Sequence, residues 1–371
     1  MGRSDRKSPK RSVGDGALVN AALVDGIVKA VLYEGYMLYP YRPSAVKNRQ
    51  RFNFGVIYPR AYNEAQRGAD ACIMQTECLV QGNAEAQCTV RVRFLRMVAR
   101  SVEKQRPPSS NLLIRTETEF QPVPQLEIKG RTYRPWQEAS EETIELTELS
   151  LAALVAQPTQ WPFRLSAKRE YEAICDEVGS VGGRIVREKR TVAGSISVSA
   201  ELLEPALFKL RIQISNDSRL EGGALTRESA LEHSLVSAHT ILESRNGGFV
   251  SLVDPPEPYR IFASHCQNLG TWPILVGAAG EQDTMLSSPI ILYDYPEIAP
   301  ESPGDLFDGA EIDEILSLRI MTMTEDEKRE MRESDDRTRL ILERTEALPE
   351  QQWMKLHGAL RGLRSAKGKT P

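Results

Sequence analysis

Residues 72–94 read CIMQTECLVQGNAEAQCTVRVRF. Cys72, Met74, Thr76, Cys78 and Val80 share one parity, with Gln75, Glu77 and Gln81 on the other. Cys88, Val90, Val92 and Phe94 then alternate with Thr89, Arg91 and Arg93. A period of two sends successive side chains to opposite faces, so the pattern predicts a sheet with one buried face. The polar QGNAEAQ between the two runs predicts an antiparallel hairpin.

Working outward, the same alternation recurs. TIELTELSL lies within 113–150, and Leu210, Ile212 and Ile214 alternate with Lys209, Arg211 and Gln213 at the end of 181–214. Short strands broken by Gly and Pro predict an α+β fold, mainly antiparallel β, sandwich or barrel-like, with a C-terminal helical segment. Residues 17–34 are apolar and predict a helix ending as a strand. Thr226 followed by Leu231, Leu235, Ala238 and Leu242 predicts a capped helix stopped by Gly247–Gly248. It would carry His233 and His239 on well-separated faces.

Toward the C-terminus, Asp308 with Glu311 and Thr324 with Glu327 fit capping boxes. Pro349 opens a last helix with Trp353, Leu356, Leu360 and Leu363 as its stripe. The expected organisation is a disordered basic arm over 1–16, a β-rich domain over 17–300 with a possible break near 101–112, and a helical segment over 301–371.

The chain has 371 residues and a net charge of −4, which argues against a general nucleic-acid binder. No apolar run of about 18 residues predicts a membrane span. Five cysteines without paired spacing point to a reducing compartment, hence the cytoplasm.

Candidate chemistry is sparse. Cys72, Cys78 and Cys88 fall on the apolar parity of the hairpin; core packing is the simpler reading, and a soft-metal or iron–sulfur site is the alternative. In the Ser264–His265–Cys266 stretch the last two would point to opposite faces of a strand, with Cys266 as a possible nucleophile or metal ligand. Tyr36, Tyr39 and Tyr41 sit beside Arg42, Lys47, Arg49 and Arg51; aromatic and Arg residues in an irregular segment suit a loop that docks on a protein partner. The acidic 294–314 stretch, with Asp305 and Asp308, is a second candidate contact surface and lacks the spacing of a calcium loop. No phosphate loop, nucleophile elbow or zinc helix motif occurs, and no cofactor is called for.

Three stretches carry a resemblance: LYEGYMLYPYRPSAVKNRQRFNFGVIYPR at 32–60, CQNLGTWPILVG at 266–277, and 287–358, which opens SSPIILYDYPEIAPE. Together they resemble a family of bacterial proteins encoded alongside NiFe-hydrogenase structural and maturation genes. The resemblance covers the ends of the chain and little of its middle. It implies an accessory role in hydrogenase maturation, assembly or stability, with hydrogenase subunits or maturation factors as partners. It carries no catalytic residues over. The alternatives are a metal or iron–sulfur handling protein using Cys72, Cys78, Cys88 or Cys266, and a cysteine-dependent enzyme centred on His265 and Cys266.

Overall fold

The computed structural model describes residues 13–49, 54–106, 120–220, 225–298, 304, 306 and 313–349. The chain divides into two compact units: Met1–Tyr36 with Gln50–Glu297, and Met37–Arg49 with Ile298–Pro371. The fold is α+β, dominated by antiparallel sheet, with helices toward the C-terminus.

The first unit opens with α1 (Val13–Leu32) and α2 (Arg60–Ala65), followed by the long β1 (Ile73–Gln105). Next come β2 (Phe120–Pro122), β3 (Leu126–Ile128), β4 (Arg131–Tyr133), β5 (Trp136–Ser150) and α3 (Leu151–Ala156). Strands β6 (Thr159–Leu165), β7 (Lys168–Cys175), β8 (Val181–Lys189), β9 (Val192–Glu204) and β10 (Leu207–Asn216) then run in succession. The unit closes with α4 (Arg227–Leu231), β11 (Val236–Val250), α5 (Arg260–Ser264), β12 (Trp272–Leu275) and β13 (Thr284–Ser288). The second unit carries α6 (Asp313–Met321), α7 (Glu325–Ser334) and α8 (Asp336–Glu346).

Among the described residues, 11 strands form one antiparallel sheet that is not closed into a barrel. Its organiser is β1. The expected hairpin at 81–87 does not form: the chain continues as one strand of 33 residues. At about 3.3 Å per residue that is roughly 110 Å of strand, far beyond the usual ~17–20 Å, so it must bend and exchange neighbours. Leu79–Gln81 pair with both β10 and β11, which therefore lie on opposite edges of β1. Further along, β5 takes over from β10 and β8 takes over from β11. The bend falls at the register shift between Gly82 and Gln87. There Gly82 faces Gly247, and a Cβ on Gly82 would come within 2.8 Å of the Ala86 Cβ and 3.1 Å of the Asn246 carbonyl oxygen. The residues read as a turn and as a helix stop are thus the close-approach points of a folded sheet. Gly82→Val should cost about 1–3 kcal/mol of stability, as overpacking of a tight site does. Chemical denaturation measures it.

The sheet carries one main core. Met74, Cys78, Val90, Val92 and Phe94 of β1 meet Ile196 and Val198 of β9, Leu210 and Ile212 of β10, and Ala238, Leu242 and Phe249 of β11. The alternation at 88–94 and 209–214 is present as read, and β9 pairs with β10 in antiparallel register. On the other face, arginines of β1 are matched by carboxylates of its neighbours. Arg91 bridges Glu145 and Glu243; Arg93 bridges Glu141 and Asp25 of α1.

Two expectations are corrected. Residues 17–34 do not end as a strand; α1 persists to Leu32 because Val24, Ile27, Val28 and Leu32 recur at helical spacing and are buried. The proposed helix after Thr226 stops at Leu231, and 236–250 is β11. Both faces of β11 are covered, with Ala238 and Leu242 in the core and His239 buried on the other side. No period-two pattern survives there, and the helical stripe was a coincidence of a buried strand. Of the break expected near 101–112, residues 107–112 lie outside the described residues, and β1 runs through Gln105.

In the second unit the capping box forms: Thr324 Oγ1 accepts from the Glu327 N–H, and Glu327 accepts from the Thr324 N–H at 3.0 Å. The box at Asp308, the helix after Pro349 and residues 1–12 of the basic arm lie outside the described residues. Among the described residues, no helix is long and apolar enough to cross a membrane.

Candidate functional site

The sheet separates the candidate thiols. Cys78 and Cys88 point into the main core, whereas Cys266 packs on a satellite cluster around Leu79, Leu207 and Val250 on the opposite face. All five cysteines are free, and Cys72 is buried just before β1. Burial pushes the Cys78 thiol well above its ordinary range and Cys88 to about 12. A metal-binding or nucleophilic cysteine needs the opposite shift, toward thiolate. Among the described residues, no group of three or more His, Cys, Asp and Glu is placed to hold a metal ion.

His265 and Cys266 do not lie on a strand. Arg260–Ser264 forms α5, His265 is its C-terminal cap and is exposed, and the Cys266 Sγ reaches the Phe262 carbonyl at 3.7 Å. Burial raises Cys266 to about 11. The loop that follows is a fastening. Glu77, almost fully buried on β1, accepts from the Gln267 N–H at 2.7 Å and from Arg211 at 2.5 Å. The Asn268 side chain accepts from the Glu77 N–H and donates to the Glu77 carbonyl, as a neighbouring strand would. Leu269 and Gln75 complete a two-way backbone bridge. The CQNLG motif therefore extends the edge of β1 that β11 leaves free.

The aromatic–basic segment is also more internal than its composition indicated. Tyr36 and Tyr41 are buried, which corrects the expectation that they face solvent; Tyr39 is half-buried. Within the second unit, Asn48 organises the loop, accepting from the Leu38 N–H at 2.8 Å and donating to the Leu38 and Arg42 carbonyls. Arg42 pairs with Glu327 of α7 at 2.9 Å, and Ser44 donates to Glu330 through its N–H and hydroxyl. Arg319 of α6 lies over the Tyr39 ring. Tyr39 and Arg42 thus contact the helices, and Tyr41 packs edge-on against Tyr39. Lys47 is exposed. The Arg49 side chain, Arg51, Asp305 and Asp308 lie outside the described residues.

A surface that residue-level reading missed lies at the sheet margin. After β13 the chain passes the start of β12 and returns along its outer edge: Asp294 Oδ1 accepts from the Leu275 N–H at 2.8 Å, and the Tyr295 N–H donates to the Leu275 carbonyl at 2.7 Å. Ser251 donates to the other Asp294 oxygen, drawing the 251–254 loop alongside. This lap leaves Ile291 at 70% and Tyr293 at 82% exposure; Trp272 of β12 and Val253 of the 251–254 loop are exposed as well. The available signal was compositional. Residues 261–318 contain ten acidic residues and no lysine or arginine, flanking an apolar PIILY run. Large apolar groups gathered in solvent mark an interaction surface more often than scattered ones do.

No protein-family model matches the chain, and no curated protein matches it.

Proposed function

We propose that the protein is a non-enzymatic accessory or assembly factor for a NiFe-hydrogenase, acting in the cytoplasm by binding a hydrogenase subunit or maturation factor. The pathway rests on the resemblance of segments 32–60, 266–277 and 287–358. The binding mode rests on one observation: the third of these segments holds Ile291 and Tyr293 in solvent. A Tyr held out on an irregular segment supplies contact area at little entropic cost, which is why such residues dominate binding energy.

Replacing Tyr39, Tyr41 and Arg42 together would disturb a buried ring and the Arg42–Glu327 pair, so lost assembly would report folding. Affinity capture of the tagged full chain from its native host, followed by mass spectrometry, is the direct measurement. Recovery of a hydrogenase subunit or maturation factor, abolished by Ile291→Ser with Tyr293→Ser, is the expected result. Unchanged hydrogenase activity and subunit processing after deletion of the gene, with no hydrogenase component captured, would overturn it.

A further inference from the structure

We infer that the lap over β12 is a docking surface for a different protein that presents an apolar segment flanked by lysine or arginine. The inference rests on the protein-binding reading above and specifies where the partner sits and what it must look like.

Strand addition is closed off at this margin. β12 pairs with β13 on one side. On its other side Leu275 already spends its N–H on Asp294 and its carbonyl on Tyr295, and Pro273 has no N–H to offer. Recognition must therefore run through side chains. Those on offer are Trp272, Ile291, Tyr293 and Val253, an apolar centre with two aromatic rings. The rim is acidic. Asp254 follows Val253, Asp294 follows Tyr293, and Glu297 is exposed. From Asn246 to Glu297, within the same unit, the sequence holds six acidic residues and one cation, Arg260, which pairs with Glu257 at 2.7 Å. The net charge of the whole chain is only −4, so the remainder is net positive and this stretch concentrates the negative field.

That charge selects among occupants. Two copies meeting symmetrically through this face would set the same acidic rim against itself, because a two-fold interface brings each patch onto its own copy. Like charges facing each other weaken such a contact, whereas a cationic rim speeds encounter and fixes orientation. A different chain with a basic-flanked apolar segment fits both the centre and the rim.

The test places a photo-crosslinking benzoylphenylalanine at position 293 of the full chain in its native host, with the same group at the exposed Leu340 as control. Crosslinked peptides are identified by mass spectrometry, and the captured protein is purified and titrated against the full chain by calorimetry. The expected result is a crosslink from position 293 to an apolar segment of another protein bearing Lys or Arg on its flanks. The affinity should fall at least tenfold in Ile291→Ser with Tyr293→Ser, and severalfold between 50 and 500 mM salt. Leu340→Ser should leave it unchanged, and circular dichroism should show each variant folded. A crosslink to a second copy, a captured segment without cations, salt-independent binding, or no product above the Leu340 control would overturn it. A basic partner unrelated to hydrogenase would sink the pathway assignment and leave this surface standing. A hydrogenase subunit captured only from other positions would do the reverse.

Discussion

Arg96→Met should cost the first unit about 2–3 kcal/mol, because it strips backbone carbonyls of a charged hydrogen-bond donor. Arg96 lies on β1 with only 4% exposure. Its guanidinium donates to three carbonyls: Ser166 at 2.6 Å, Arg190 at 2.6 Å and Leu165 at 3.3 Å. Those carbonyls end β6 and open the turns into β7 and β9, so one side chain fastens two strand connections to the central strand. Its nearest carboxylate, Glu142, stands 3.7 Å away, and burial lowers the Arg96 pKa from its ordinary value. The carbonyl bonds are what justify the charge there. Methionine matches the stem in volume and offers no donor, so the part-buried carbonyls of Leu165, Ser166 and Arg190 lose their charged partner. Arg91→Met, by contrast, removes partly exposed ion pairs to Glu145 and Glu243 and should cost under about 1 kcal/mol. Chemical denaturation of both variants decides the matter. Equal small losses would mean that water replaces Arg96 at these carbonyls.

How much of this was legible in the sequence depends on how many faces of each strand are buried. The alternations at 88–94 and 209–214 announced strands because one side of each meets the core and the other carries Arg91, Arg93 and Arg211; at 74–80 both faces are buried, and the alternation survives because Gln75 and Glu77 are polar side chains bonded to the Gln267 backbone. β11 was misread because Ala238 and His239 are both buried, on opposite faces. The continuity of β1 through Gly82 was invisible for a related reason. A polar, glycine-containing stretch reads as a turn, and only the pairing of Gly82 with Gly247 shows two strands bending together. Capping chemistry was fully local, so Thr324 and Glu327 were correctly paired three residues apart. The buried position of Tyr41 was set by a contact between 37–49 and helices nearly 300 residues later, such as Ser44 to Glu330, which no local pattern encodes. The exposed Ile291 and Tyr293 illustrate the converse. No local pattern separates the PIILY run from core-forming sequence; the hydrogen bonds of Asp294 and Tyr295 to Leu275 accompany its outward placement.

Stability should also fall by about 3 kcal/mol as the pH drops from 6.5 toward 4, through one residue, His239. Its side chain is fully buried on β11, opposite Arg93 in the strand register. The Nδ1–H donates to the Ser237 carbonyl at 2.7 Å, a contact shaped by the left-handed Ser237 (φ 50°) beside the register shift at Arg93–Leu95. The Nε2 atom has no hydrogen-bond partner among the described residues. Burial first, with the adjacent Arg93 charge adding to it, holds the imidazole pKa down at about 4, against an ordinary 6.5. The groups facing that charge are the Arg93 guanidinium itself and its partners Asp25 of α1 and Glu141 of β5. The sign follows from which state takes the proton. Above pH 6.5 both states are neutral and nothing is lost. Between 6.5 and 4 the unfolded chain binds a proton that the native state refuses, so stability declines by about 1.4 kcal/mol per pH unit until the native imidazole also protonates. His239→Phe keeps a flat buried ring, removes the orphaned nitrogen and abolishes this titration. Its denaturation free energy should therefore run flat relative to the parent from pH 7 to 6.5 and diverge upward below that, reaching a gain of about 3 kcal/mol near pH 4. Carboxylates such as Asp25 titrate in both proteins and cancel in the difference. If the two stability curves stayed parallel down to pH 4.5, the buried imidazole would have to be accepting its proton in the folded protein, and α1 would be rearranging over Arg93 to admit it.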